Sequence, residues 1–191
     1  MYASGERLPR RLVTSAMSTG ETEFLELLEQ HKTILFKIAN LYCRNRADFA
    51  DVVQEITLQA WRAFNRYDRS RPFSTWLYRV GLNVAISFYR TESRRSRFIV
   101  SADESILEIA GPPSAAAELN EQLRLLHSLI DKFGALDKAV VLLYLDGHPY
   151  DTIAEILGMS ASNVGTRINR IKHKLRQKWT YGSNREYSHG L

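Results

Sequence analysis

Wherever this chain is apolar, its apolar residues recur at steps of three and four, and no stretch of useful length alternates apolar with polar. That regularity restricts the fold to packed helices, because steps of three and four line one face of a helix whereas a strand needs a step of two. Phe24, Leu28, His31, Leu35 and Ile38 set the pattern over roughly 21–43. Phe49, Val53, Ile56, Ala60 and Phe64 repeat it, with Asp48 placed to cap the start and "NRYDRSRP" supplying turn chemistry and a proline at the end. Phe73, Trp76, Leu77, Val80, Val84 and Phe88 carry it a third time, as far as "RTESRRSR".

Over residues 98–117 the period lapses into an acidic and then Pro-, Ser- and Ala-rich text, which marks a linker. The period returns with Leu119, Leu123, Leu126, Ile130 and Phe133. "LDKAVVLLYLDG" follows as a short apolar helix with Asp137 as its expected cap, then "HPYDTIAEILG" with Pro149 near the first helical position, where a missing N–H costs little. The expected fold is all-α: two small helical domains, residues 21–97 and 118–180, joined by a flexible linker. Residues 1–20 read as a disordered leader and 181–191 as a polar tail; Met17 is as good a translation start as Met1. A chain of 191 residues is long enough for two such cores.

Composition removes several classes of function. At 45% hydrophobic and 25% charged residues the chain is neither disordered as a whole nor a membrane protein. No run approaches the roughly 18 apolar residues that span a bilayer, and the leader has no apolar core, so no membrane insertion and a cytoplasmic location are expected. Cys43 is the only cysteine, which excludes an intrachain disulfide and a thiolate-rich metal site; beside Tyr42 at a helix end it reads as a small buried residue. His31 falls in a core stripe, and the five histidines are scattered without a catalytic or metal-ligating grouping. No metal, cofactor, catalytic centre or small-molecule substrate is therefore expected.

The chemistry lies in "LGMSASNVGTRINRIKHKLRQKW". Ile153, Ala154, Ile156 and Leu157 make a short amphipathic helix, Gly158 can supply a left-handed turn residue, and Ser160 can cap the next helix. Together these form a helix-turn-helix signature. In the second helix Val164, Ile168, Ile171 and Leu175 make a packing stripe, and Asn163, Arg167, Arg170 and Lys174 make an outward stripe one residue away. No acidic residue occurs from Gly158 to Arg185, whereas a solvated helix ordinarily mixes both signs. Arg167, Arg170, Lys172 and Lys174 are expected on phosphates, with Ser160, Ser162, Asn163, Thr166 and also Arg167 on base edges.

"NRADFADVVQEITLQAWRAFNRYDRSRPFSTWLYRVGLNVAISFYR", residues 45–90, resembles region 2 of bacterial sigma factors of the extracytoplasmic-function (ECF) class, within the sigma-70 family. The resemblance rests on "RADFAD", "DVVQE", "QAW" and "FSTWLYRVGLN". "YDTIAEILGMSASNVGTRINRIKHKLRQ" resembles region 4 of the same family, in the expected order. The likeness implies a transcription initiation factor that binds core RNA polymerase, recognises minus-35 DNA with its second domain and melts minus-ten DNA with its first. It also implies control by an anti-sigma factor.

Residue roles follow from the same resemblance. Asp51, Gln54 and Glu55, a polar edge within one helical turn, carry the family's polymerase-docking role. Arg66, Tyr67, Arg69 and Arg71 interleave cations with an aromatic ring, which suits single-stranded DNA. The resemblance places them with Asn83 at the pocket for a base flipped from the minus-ten element. Phe73 and Trp76 share that loop but also the core stripe, and they are read as packing. Arg90, Arg94 and Arg95, with Arg97, suit duplex phosphates upstream. The acidic linker residues Asp103, Glu104 and Glu108 fit either a threaded segment or a plain tether.

Departures concern promoter preference. Leu82 and Ser87 stand where the family commonly has an arginine and an acid; Gly165 stands where a lysine is common, and Pro149 where a serine cap is common. Two other classes compete with an initiation factor. A free-standing DNA-binding regulator would bind duplex tightly without polymerase, and a DNA-modifying enzyme would need a catalytic grouping that the histidines and carboxylates do not form.

Overall fold

The structure, a computed structural model, describes residues 19–95 and 128–186, with side chains described as far as Ser93 and Gln177. The expected leader up to residue 18, the linker 98–117, Arg97, and Leu119, Leu123 and Leu126 of the fourth helix lie outside the described residues, as do 187–191 of the tail. Among the described residues every regular element is helical. The elements are α1 (Thr19–Tyr42), α2 (Arg46–Ala63), a 3-10 turn (Phe64–Arg66), α3 (Phe73–Arg95), α4 (Ala135–Leu145), α5 (Tyr150–Leu157) and α6 (Ala161–Glu186). A helical turn over 128–131 precedes α4 and carries the expected Ile130 into the core.

Helices α1, α2 and α3 pack on one another as a three-helix body. Phe24, Leu35, Ile38, Ile56, Ala60 and Phe64 are buried as their spacing predicts, and His31 is half-buried against the edge of the Phe73 ring, its Nδ1 2.9 Å from the Leu27 carbonyl. The inner face of α3 is rotated from its expected place. Leu77, Leu82 and Ala85 are almost wholly buried with Gly81 between them, whereas Trp76, Val80, Val84 and Phe88 are partly covered. The reason is Gly81. A Cβ there would lie 2.7 Å from Cδ1 of Ile38 and 3.4 Å from Cγ2 of Ile56, so the glycine lets α3 approach both neighbours more closely than a side chain permits.

Two caps differ from expectation. Asn45, not Asp48, opens α2: its side chain accepts from the Asp48 N–H at 2.8 Å, and its amide donates to the Asp48 carboxylate. Gly134, not Asp137, precedes α4. Asp137 sits in the first turn with 8% exposure, where its charge suits the positive helix end and is used in the ion pairs described below. Gly158 has φ +65°, the left-handed turn its position requires, and Ser160 Oγ accepts from the Asn163 N–H at 3.2 Å. Cys43 is buried as expected, and desolvation beside Asp48 and Asp51 pushes its thiol up to about 12.

The two helical bodies touch. Helix α3 packs against α5 and α4, and α1 against α4. The Tyr42 hydroxyl donates to the Ala135 carbonyl at 2.6 Å. Lys138 is 2% exposed, donates to Asp131 at 2.6 Å, and lies over the Tyr89 ring. The Asp146 carboxylate accepts from Lys37 at 2.6 Å and from the Tyr78 hydroxyl, and His148 meets the Tyr78 ring edge-on. Arg71 pairs with Glu155.

Candidate nucleic-acid interface

The helix-turn-helix is built from α5 and α6, with Gly158 reversing the chain and Ser160 opening the second helix. Ile153, Ala154 and Ile156 of α5 pack against Val164, Ile168 and Ile171 of α6. This fixes which side of α6 faces out. Ser160, Ser162, Asn163 and Thr166 are exposed along its first turns. The Thr166 hydroxyl donates to the Ser162 carbonyl at 3.0 Å, which holds one of these side chains in a single orientation. Gly165 has the Tyr150 ring beside it, with Cε2 3.6 Å from where a Cβ would stand.

The basic stripe is less free than the sequence suggests. Arg167, expected outward, is 24% exposed and donates to Asp137 Oδ1 at 2.6 Å. Arg170 donates to both Asp137 oxygens at 3.0 and 2.8 Å while remaining 52% exposed. Position 167 directly precedes the packed Ile168, so its stem runs along the seam between α4 and α6, and the guanidinium meets the buried carboxylate there. Arg167 is thus a tie between helices, and Arg170 presents its remaining donors to solvent. Lys172 donates to the Tyr144 hydroxyl at 2.9 Å and lies over its ring, a contact that raises the lysine pKa. Lys174 is exposed near the Phe133 ring.

In the first body the loop after the 3-10 turn is set by aromatic packing. Phe64, Tyr67, Phe73 and Trp76 form one cluster, with Tyr67 stacked on Phe64 at 5.9 Å and edge-on to Phe73 at 5.5 Å. Tyr67, expected to face DNA, is 9% exposed, and its hydroxyl donates to the Arg71 carbonyl at 2.6 Å. Its ring completes the cluster, so it shapes the loop from beneath. Arg66, Arg69 and Arg71 are exposed around it. Arg69 forms a two-point pair with Glu23 at 2.8 and 2.6 Å, which lowers the Glu23 pKa and raises its own. Asn83 is exposed two turns further along α3, its side chain toward solvent and its carbonyl accepting from Ser87.

Asp51, Gln54 and Glu55 share the exposed side of α2, opposite Val52 and Ile56, and Glu55 accepts from Gln59 at 2.7 Å. Sequence reasoning did not single out the exposed apolar residues of this body: Leu25 and Phe36 of α1 and Leu58 and Trp61 of α2. Arg90 is exposed near the end of α3 and lines, with Tyr89, Gly134 and Arg167, the cleft between the two bodies. Arg94 and Arg95 are in the last turn of that helix, with side chains outside the described set. The departures also have places: Leu82 is a core residue, and the Ser87 hydroxyl is tied to its own helix.

No helix among the described residues is long and apolar enough to cross a membrane, and no group of three or more potential metal ligands occurs among them. The Sigma-70 region 2 family matches residues 27–95, and the Sigma-70, region 4 family matches residues 123–175. The RNA polymerase sigma factor CnrH of Cupriavidus metallidurans is 30% identical over 179 residues, covering 89% of this chain and 93% of CnrH. The ECF RNA polymerase sigma-E factor of Escherichia coli is 29% identical over 190 residues, covering 91% and 95%. A solved structure of CnrH with the cytosolic domain of CnrY superposes with a TM-score of 0.62 at 27% identity, covering 90% of this chain and 97% of that one. Two helical bodies in the order of regions 2 and 4, a helix-turn-helix whose second helix carries no acidic residue before Glu186, and relatives matched along nearly their whole length lead to one assignment: this chain belongs to the sigma-70 family, as an ECF sigma factor that directs RNA polymerase to promoters for transcription initiation.

Proposed function

We propose that residues 21–97 bind core polymerase and capture and melt the minus-ten element, and that residues 118–180 read the minus-35 element. Residues 98–117 serve as the tether. The observation that carries this division of labour is the exposed polar row Ser162, Asn163 and Thr166 on the first turns of α6, presented by a helix-turn-helix whose other face is fully packed. Small polar side chains at the start of a recognition helix reach base edges, with Ser160 capping the helix beside them and Arg170, Lys172 and Lys174 following on phosphates. Arg167 contributes by fixing the helix to α4.

In the first body, Arg66, Arg69 and Arg71 with Asn83 take the unpaired strand, and Tyr67 holds the loop that carries them. Arg90, Arg94 and Arg95 take the duplex upstream, and Asp51, Gln54 and Glu55 dock on polymerase. The chain works in the cytoplasm, without catalysis of its own, metal or cofactor. It is held in reserve by an anti-sigma factor, a role supported by the complex of its relative CnrH with the cytosolic domain of CnrY.

The test is promoter-directed transcription with purified core polymerase and the full chain on a genomic fragment library. Initiation from discrete start sites is expected; no initiation and no co-purifying polymerase would overturn the reading. Asn163→Ala is expected to weaken discrimination among minus-35 sequences while helicity stays unchanged, and unaltered sequence preference removes it from the base-reading set.

A further inference from the structure

Glu23 of α1 and Arg69 of the loop before α3 meet over the same aromatic floor. Phe24, the residue after Glu23, is buried edge-on to Phe64 with ring centroids 5.1 Å apart, which sets the Glu23 carboxylate beside the loop. The Arg69 guanidinium lies over that Phe64 ring, its Cζ 5.4 Å from the centroid. Its Nε donates to Glu23 Oε1 at 2.8 Å and its Nη2 to Oε2 at 2.6 Å. These hydrogen bonds lower the Glu23 pKa and raise that of Arg69, so each partner holds the other in its charged form. One edge and one face of the guanidinium are thereby taken. The edge formed by Nη1 and the second Nη2 proton is left over, on a side chain that is 57% exposed. Being water-accessible, the tie restrains this one side chain and leaves the loop free to move around a strand.

Such an arginine suits one class of acceptor better than another. A phosphate gains most from a full positive charge, but Glu23 cancels the charge of Arg69 and would itself repel the phosphate. An uncharged base edge meets no such repulsion. It gains from a donor pair already held in place, because a free arginine loses rotamer freedom when it is fixed on a base. In an unpaired strand both the Hoogsteen and the Watson–Crick edges are open. Guanine there offers O6 beside N7 and cytosine offers O2 beside N3, whereas adenine and thymine set a donor beside each acceptor on those edges.

We propose that Glu23 is a positioning residue that makes Arg69 a base reader: it aims the free Nη1/Nη2 edge at an unpaired base carrying two adjacent acceptors, a guanine or a cytosine. The inference rests on the proposed minus-ten role of Arg69 and says what that residue contacts.

The test uses holoenzyme assembled from purified core polymerase and the full-length chain, with labelled single-stranded oligonucleotides spanning the minus-ten strand of a promoter it uses. Each position is replaced in turn by the other bases. Dissociation constants are then compared for wild type, Glu23→Gln, Arg69→Ala and the double variant. Wild type is expected to prefer guanine or cytosine over adenine and thymine at one position by about tenfold. Which of the two is preferred identifies the base, and where it is guanine, 7-deazaguanine, which lacks the N7 acceptor, is expected to lose the preference. Glu23→Gln is expected to shrink the preference several-fold without weakening the oligonucleotide that carries adenine there, since a repelling carboxylate has gone. Arg69→Ala is expected to abolish the preference, and the double variant to match Arg69→Ala. A preference that survives Glu23→Gln, or one for adenine or thymine, overturns the inference. So does an Arg69→Ala chain that binds all the oligonucleotides more weakly by the same factor, which makes Arg69 a phosphate contact and leaves its minus-ten role standing. An Arg69→Ala chain that matches wild type on every oligonucleotide overturns both.

Discussion

The two helical bodies keep their arginines in opposite ways. In the first, Arg69 and Arg71 hang on the outside of an aromatic cluster, and their carboxylate partners Glu23 and Glu155 are themselves substantially exposed. In the second, the carboxylate is inside: Asp137 is 8% exposed, and two arginines of the recognition helix converge on it. On the proposed function, a loop that rearranges around an unpaired strand is served by weak, water-accessible ties. A recognition helix that must present its first turns in one orientation is served by a buried one. Electrostatics therefore positions the second surface and only restrains the first.

Substitutions can break or sharpen that contrast. The largest expected effect is shared ground: Ile56→Ala removes a wholly buried side chain at the point where α2 meets α3, and should lower unfolding stability by about 2–5 kcal/mol in chemical denaturation. Asp137→Ala should cost about 2–3 kcal/mol, less than a fully enclosed pair because Arg170 is half in water. It should also loosen α6, seen as faster amide exchange there with α1–α3 unaffected. Ser160→Ala should cost about 1 kcal/mol through loss of the cap, again confined to the second body. Glu23→Gln should leave the melting temperature unchanged, since both partners are solvent-accessible. If Glu23→Gln proves as damaging as Asp137→Ala, the contrast between the two bodies is wrong.

Much of this was legible beforehand. Periodicity located the helices because each body must bury one face of every helix, and Gly158 and Ser160 announced the turn and cap through conformations few other residues supply. What stayed hidden were choices made by a partner in space. The rotated face of α3 depends on Gly81 meeting Ile38 and Ile56, and a glycine does not register in an apolar stripe. Arg167 read as outward because a count of cations cannot show a buried carboxylate thirty positions earlier. Tyr67 read as a stacking platform because an aromatic ring amid arginines looks the same in text whether it lies above or beneath the loop. The contacts of Asp146 cross a long linker and left no local trace.

The Asp137 clamp also bears on how the protein responds to ionic strength. Each cation that newly neutralises a DNA phosphate releases counterions and steepens the salt dependence of binding by about 0.9 in the logarithmic slope. Arg167 and Arg170 share one internal negative charge, so together they bring a single net positive charge to this side of α6. If the second domain reads minus-35 DNA as proposed, it should hold that DNA with a shallower salt slope than its cation count implies. More of its selectivity then rests on the uncharged row at the start of α6, which ions do not screen.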